Sequence, residues 1–382
     1  MYIIGTVGPN VKDRAVLKGI IESGVNALRF NFIHGSAEEF LEFLKMAKDI
    51  KSDIQVMLDL SGTKVRVSGK FQYIFKVYNG EVIYFCGEDK YSEVVKNSKN
   101  KIKVIPLNIK NKILNEKDYK QIGIKDNTMT FDIVDKVDGL IKATTIRGGV
   151  IRKWKGCNIK NLERKELPLN ENDKDAIVWG VNNKVDIICQ SFVEEKKDID
   201  DVKLFLNNRK SNQFKPKIWA KIETLNGVNN IKSILGEADG IVIGRGDLIP
   251  ETSIEDTPIY EERIIKEVLG DKDKEIIIAT HILNSMKNGK MPSISEVESI
   301  YNFIKIGATG FLLAGETSIG KAPIRTVEFL NNLIIKYRNI WAVIKKSKRL
   351  WNSGNQLIMK VIEMILVRLS ILKSIYKYVL RV

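Results

Sequence analysis

The chain is poor in residues that staple or ligate. It has three cysteines, Cys86, Cys157 and Cys189, in 382 residues. Their number is odd and their spacing wide, so neither a disulfide framework nor a zinc-binding pattern is expected. Histidine is scarcer: His34 and His281 are the only two, and each alone fits a structural role as well as a catalytic one. No uninterrupted apolar run reaches the ~18 residues of a membrane span. The opening residues Met1–Thr6 read directly as a strand, without a basic stretch followed by an apolar one, so no secretory leader is expected. No helix-turn-helix, zinc-finger or RNP pattern occurs, which argues against nucleic acid as a partner. Together these absences predict a cytoplasmic protein.

Acidic charge is nearly missing from one end. Between Trp341 and Val382 nine Lys/Arg face a single acid, Glu363. That stretch supplies +8 of the net +15, leaving +7 for the body. A moderately basic body suits an anionic substrate such as a phosphate ester. Residues 341–382 are expected to form a basic amphipathic helical tail, with Leu357–Leu380 as its core. Such a helix would cover barrel surface or contact a partner or a membrane surface.

What the body does contain is alternation. Short apolar runs at Ile3–Val7, Ala27–Phe32, Ile54–Leu60, Ile187–Phe192, Lys217–Ile222, Gly240–Gly244, Glu275–Thr280 and Gly310–Ala314 read as strands. Most are followed by a helical pattern, as at Val11–Ser23, Glu38–Ile50, Asp198–Asn208, Glu261–Leu269 and Ile294–Ile306. Eight such units predict an α/β fold, a (β/α)8 TIM barrel. One interruption breaks the series. Val67–Val82, Lys101–Ile109 and Met129–Ile151 are β-rich, with turn signals at Asn79-Gly80, Asp138-Gly139 and Gly148-Gly149. This predicts a small β-domain lid inserted after strand 3. The expected division is 1–66 and 159–340 for the barrel, 67–158 for the lid and 341–382 for the tail.

Barrel enzymes gather their chemistry at the C-terminal ends of the strands. Read there, the sequence offers Arg29-Phe30-Asn31 with His34, then Asp59 with Lys64 and Arg66, then Lys221-Ile222-Glu223. Arg245-Gly246-Asp247, Thr280-His281 and Gly315-Glu316-Thr317 follow. Residues i and i+2 of a strand share a face, so Lys221 and Glu223 point together into the barrel mouth. Glu223 and Asp247 make an all-oxygen pair suited to Mg²⁺ or Mn²⁺. A lysine beside such an ion neutralises charge on a transferring phosphoryl group. Gly246 leaves backbone N–H groups open to an anion. Each motif alone is bland: Lys-Ile-Glu is an ordinary ion pair and Arg-Gly-Asp carries almost no information. Their joint placement after successive strands carries the reading.

These residues resemble the pyruvate kinase family. The resemblance runs from Gly5 to about Asn331. It includes TVGP at Thr6–Pro9, LRFNFIHG at Leu28–Gly35, LDLSGTKVR at Leu58–Arg66 and GGVIRKWKGCN at Gly148–Asn158. It continues with QSFV at Gln190–Val193, AKIE at Ala220–Glu223, ADGIVIGRGDL at Ala238–Leu248, IIIATHILNSM at Ile276–Met286, MPSISE at Met291–Glu296 and LAGETSIGKAP at Leu313–Pro323.

The resemblance implies phosphoryl transfer from phosphoenolpyruvate to a nucleoside diphosphate, ADP giving ATP. It implies Glu223 and Asp247 as metal ligands, and Lys221 and Arg29 on the moving phosphoryl group. Gly246 and Asp247 would receive the substrate carboxylate, and Thr280 would help protonate the enolate. Pro9, Asn31, His34 and Lys155 would lie around the nucleotide, with Arg66 a further active-site arginine. Where many relatives bind K⁺, this chain has Ile33, Leu60 and Lys64, which resembles the potassium-independent branch, so K⁺ should not be required. Ser293-Ile294-Ser295-Glu296 lacks an arginine associated with subunit contact, which leaves a homo-oligomer through the barrel open. His281, Thr63 and Asp126-Asn127 are further departures, and the regulatory C-terminal domain is expected to be missing. Two other readings stay open: a phosphoenolpyruvate-dependent kinase with another acceptor, and a non-catalytic binding protein on the same scaffold. The retained like-charge carboxylate pair argues against the second.

Overall fold

The computed structural model describes residues 1–352 apart from 33–34, 99–101, 165–166, 168, 209–213 and 272. His34, Ile33 and the segment Leu357–Leu380 lie outside the described residues.

Strands β1 (Tyr2–Thr6), β2 (Ala27–Asn31) and β3 (Gln55–Asp59) open the chain. The insertion follows, with β4 (Phe75–Val77), β5 (Val82–Gly87), β6 (Val104–Leu107), β7 (Gln121–Ile124), β8 (Met129–Val137), β9 (Leu140–Arg147), β10 (Gly149–Ile151) and β11 (Cys157–Asn158). The chain then returns through β12 (Ile187–Gln190), β13 (Lys217–Ile222), β14 (Gly240–Gly244), β15 (Glu275–Ala279) and β16 (Gly310–Leu313). β1, β16, β15, β14, β13, β12, β3 and β2 pair in that order into a closed barrel, parallel throughout. The expected (β/α)8 barrel with a β-domain after the third strand is the fold.

Inward and outward positions alternate along every barrel strand. Ile4, Ala27, Met57, Cys189, Trp219 and Val242 fill the interior. Their neighbours Ile3, Leu28, Leu58, Ile188, Ile218 and Ile243 face the helices in a second, larger core. Trp219 is fully buried at the centre, edge-on to Tyr2 at 5.5 Å.

The helices that shape the rim are capped by their own sequence. Ser36 and Glu39 form a capping box at the start of Ala37–Ile50. Ser293 and Glu296 do the same for Ile294–Ile306, so this departure from the family pattern has a local structural use. The helix Glu171–Asn182 is an addition to the expected elements. Its first turn carries Asp173, whose carboxylate accepts from the Ser61 and Gly62 N–H groups at 2.7 and 2.8 Å and so pins the loop after β3. The last helix, Pro323–Asn352, runs through residue 340, where the tail was expected to begin.

The insertion has a core of its own, with Phe85 edge-on to Phe131 at 5.3 Å. Its main sheet has the order β11-β7-β8-β9-β5-β6, and β10 pairs with β4. Asp138 and Gly139 join β8 to β9 with φ of 52° and 72°, the two positive angles of a type I′ hairpin turn. The short helices Tyr91–Ser98 and Asn111–Asn115 fall between the expected β-rich pieces, in stretches to which no element was assigned.

Trp219→Ala should cost about 3–5 kcal/mol of stability, the usual range for truncating a buried aromatic that neighbours cannot replace. Urea denaturation followed by circular dichroism measures it, and a loss below about 1 kcal/mol would mean the barrel interior is not packed as described.

Candidate functional site

Two residues beyond the apolar filling, the same inward positions turn polar. Ile4 leads to Thr6, Ala27 to Arg29, Met57 to Asp59, Cys189 to Ser191, and Trp219 to Lys221 and then Glu223. Strand register brings them level, with Thr6 opposite Arg29, and Asp59 opposite both Asn31 and Cys189. A polar layer therefore sits on the apolar plug at the C-terminal mouth.

Asp59 is its centre, 2% exposed. The Arg29 Nε donates to its Oδ2 at 2.8 Å, and a second guanidinium nitrogen donates to the same oxygen. Lys221 Nζ lies 3.0 Å from both oxygens, and Ser191 Oγ is 3.2 Å from Oδ1. Burial alone would push this carboxyl up, but the Arg29 and Lys221 cations outweigh it and hold it down at about 2. Burial likewise opposes the Lys221 charge, and Asp59 and Glu223 more than restore it. Arg29 also donates to Thr6 Oγ1 at 3.1 Å, which fixes the guanidinium between two strands.

A second carboxylate pair lies beside this layer. Glu223 is 3.8 Å from Lys221 Nζ and accepts from the Phe192 N–H at 3.1 Å. Any side chain at Gly244 would collide with it, because a Cβ there would lie 2.6 Å from Glu223 Oε1. Asp247 stands in the first turn of the helix Arg245–Glu251. Lys64 Nζ reaches its two oxygens at 2.6 and 2.7 Å, and Asn158 Nδ2 reaches Oδ1 at 3.2 Å. Burial pushes Glu223 up to about 7; Lys221 opposes this, and the Asp247 charge adds to it. Asp247 itself is held low: burial works against it, and Lys64 and its hydrogen bonds prevail.

These residues line one cavity of about 820 Å³. It brings together Arg29, Asn31, Lys64, Arg66, Lys155, Lys221, Glu223 and Asp247 from the sequence reading. Lys125, Arg152 and Lys153 of the inserted domain add a basic outer wall. Thr280 and Gly246 adjoin it, with the Gly246 N–H donating to Thr280 Oγ1 at 2.7 Å. Thr280 has φ of 68°, a strained conformation for a β-branched residue, and Arg245 secures it by donating to its carbonyl at 2.6 and 3.0 Å. Pro9 is exposed in the turn Pro9–Val11 and does not line the cavity. Lys64, at one of the positions where many relatives bind K⁺, places its ammonium on Asp247.

Which ion the site could hold follows from its donors. Among the described residues no group of three or more His, Cys, Asp and Glu side chains gathers as a metal cage. The donor pair Glu223 and Asp247 is all-oxygen and mutually repulsive, and it faces an open cavity. That fits Mg²⁺ or Mn²⁺, which keep several ligand positions for water and substrate. Lys64 would have to yield part of Asp247 to such an ion. Sequence reasoning placed Asp59 on the rim at the end of a barrel strand but assigned it no catalytic or binding role. It also gave no role to Asn158, the last residue of the Gly148–Asn158 block, and missed Arg164 and Glu251, which carry no local motif.

A family model described as "Pyruvate kinase, barrel domain" matches residues 1–327. The pyruvate kinase of Clostridium perfringens is 30% identical over 339 residues, spanning 87% of this chain and 69% of the relative. That of Thermococcus litoralis is 30% identical over 334 residues, 86% of this chain and 67% of the relative. That of Encephalitozoon cuniculi is 27% identical over 335 residues, 87% and 74%.

The Glu223 shift sets a pH dependence. Its carboxyl is raised in the folded state from 4.5 to about 7, so its ionisation opposes folding. That cost is absent below the unfolded value and complete above the folded one. In metal-free protein Glu223→Gln should therefore raise Tm at pH 8, and the gain should vanish by pH 5. Thermal melts at the two pH values measure this; an equal effect at both would refute the shift.

Proposed function

The chain belongs to the pyruvate kinase family, and from that premise we propose that it transfers the phosphoryl group of phosphoenolpyruvate to ADP, giving pyruvate and ATP. The observation that carries this reading is the meeting of Lys221, Arg29, Glu223 and Asp247 in a single cavity beneath a basic lid wall. In the reaction, the bond from phosphorus to the enol oxygen breaks and one to a terminal oxygen of ADP forms. Lys221 and Arg29 face the moving group as fixed cations, oriented beforehand by Asp59, so their reorganisation costs little during transfer. Glu223 and Asp247 would hold a divalent ion, which would supply neutralisation of phosphate charge. The Gly246 and Asp247 backbone receives the substrate carboxylate, with the Gly246 N–H turned over from Thr280 Oγ1 to the substrate. The enolate left behind takes a proton at its methylene carbon, delivered through water from the Thr280 side. Lys155, Asn31, Pro9 and His34 are assigned to the nucleotide, and Arg66 is a further active-site arginine.

Potassium independence belongs to the same reading. Leu60 is buried and its side chain supplies no oxygen ligand, and the Lys64 ammonium is a built-in monovalent charge in the cavity. A cytoplasmic setting fits the three free, buried cysteines. Among the described residues no helix is long and apolar enough to cross a membrane. Assembly through the barrel finds support in the exposed Met291 and Ile294 beside the Ser293 cap.

Purified protein with Mg²⁺ and without K⁺ should form pyruvate from phosphoenolpyruvate and ADP. Lys221→Met should lower kcat by about 10²–10³-fold or more, the scale for losing a charge-stabilising group. No turnover with any nucleoside diphosphate, with or without K⁺, would overturn the proposal.

A further inference from the structure

Where the chain leaves the inserted domain it enters a buried network outside the cavity. Arg164 is 3% exposed. One guanidinium nitrogen donates to Glu194 Oε1 at 3.1 Å, and another to both oxygens of Glu251 at 3.0 Å. Asn158, also 3% exposed, donates to Glu251 Oε1 at 3.0 Å and to Asp247 Oδ1 at 3.2 Å. Glu251 ends the short helix whose first turn bears Asp247. The network therefore grips that helix at both ends.

A second branch leads to the other carboxylate. The Arg164 guanidinium lies 5.3 Å from the centre of the Phe192 ring, and Lys64 Nζ lies 5.5 Å from it. Phe192 has φ of 54°, and its N–H is the one that donates to Glu223. One guanidinium thus supports the backbone that holds Glu223 and the helix that holds Asp247.

Stability alone is a poor reason for this arrangement, because buried ion pairs contribute little beyond what apolar packing would. Partners of metal-binding carboxylates, by contrast, orient them and raise affinity. We propose that Arg164 and Asn158 are positioning residues that set the spacing of Glu223 and Asp247 for a divalent cation, so that metal affinity depends on the seating of the lid's exit strand. The inference rests on the reading of Glu223 and Asp247 as the metal ligands. Neither positioning residue lines the cavity, so both act through the carboxylates.

The test is Mn²⁺ titration of the full chain, with free Mn²⁺ read by electron paramagnetic resonance. Wild type would be compared with Asn158→Ala, Arg164→Met and Arg164→Lys, with Glu223→Gln as control, and metal-free melts would be recorded in parallel. Asn158→Ala and Arg164→Met should weaken Mn²⁺ binding about 10- to 100-fold. Arg164→Lys should recover part of it. Asn158→Ala removes no buried charge and decides the question if Arg164→Met does not fold. Variants that melt lower yet bind Mn²⁺ as tightly as wild type would overturn the inference and leave the metal site standing. A Glu223→Gln protein that binds as tightly as wild type would instead overturn the metal assignment, and the inference with it.

Discussion

Everything at the barrel mouth depends on the Asp59 carboxylate lying beneath two cations. Arg29 and Lys221 come from strands that do not touch each other, and without a shared anion they would repel. Asp59 holds both within 3.0 Å and is itself sealed from water. Such a cluster adds little to stability, but it fixes charge in place before any substrate arrives. Above it, Lys64, Glu223 and Asp247 complete a set of three cations and three carboxylates. Its formal charges cancel once Glu223 is ionised. The attraction for anions therefore comes from the outer ring of Arg66, Lys125, Arg152, Lys153 and Lys155, which surrounds a balanced interior.

Much of this was legible in the sequence, for a geometric reason. A strand that is apolar on both faces reads as a continuous run, and the first polar residue at its end shows where the core stops. Lys221 and Glu223 could be placed on one face from the two-residue period alone, and Ile294–Ile306 from its helical pattern. Glu171–Asn182 escaped because its first half is polar and its apolar residues bunch at Ala176–Val181. The lid helices escaped because, at 8 and 5 residues, they are too short to show a helical period. Pro9 differs from these: it sits inside a matching motif, and the fold leaves it exposed outside the cavity lining.

The network around Arg164 was not legible at all. Its partners are 30 and 87 positions away and belong to no shared motif. Such contacts arise only when the barrel closes and the inserted domain returns to it. Thr280 belongs to the same class. Nothing in its sequence context announces a left-handed backbone, which costs of order 1–3 kcal/mol and persists because Arg245 and Gly246 hold its carbonyl and hydroxyl.

The insertion enters and leaves at one point, where Val67 and Lys155 hydrogen-bond to each other at 2.8 Å. On topology alone it looks like a module that could be cut out and replaced by a short loop. The chemistry of its exit strand says otherwise. A cut made a few residues further on, past Asn158 and Arg164, would strand Glu194 and Glu251, both nearly sealed from water, without a cation between them. Trimming this protein to a minimal barrel would therefore require rewriting those two glutamates as neutral residues. Any natural shortening or exchange of the insertion would face the same requirement, so the joint and the glutamates are expected to change together.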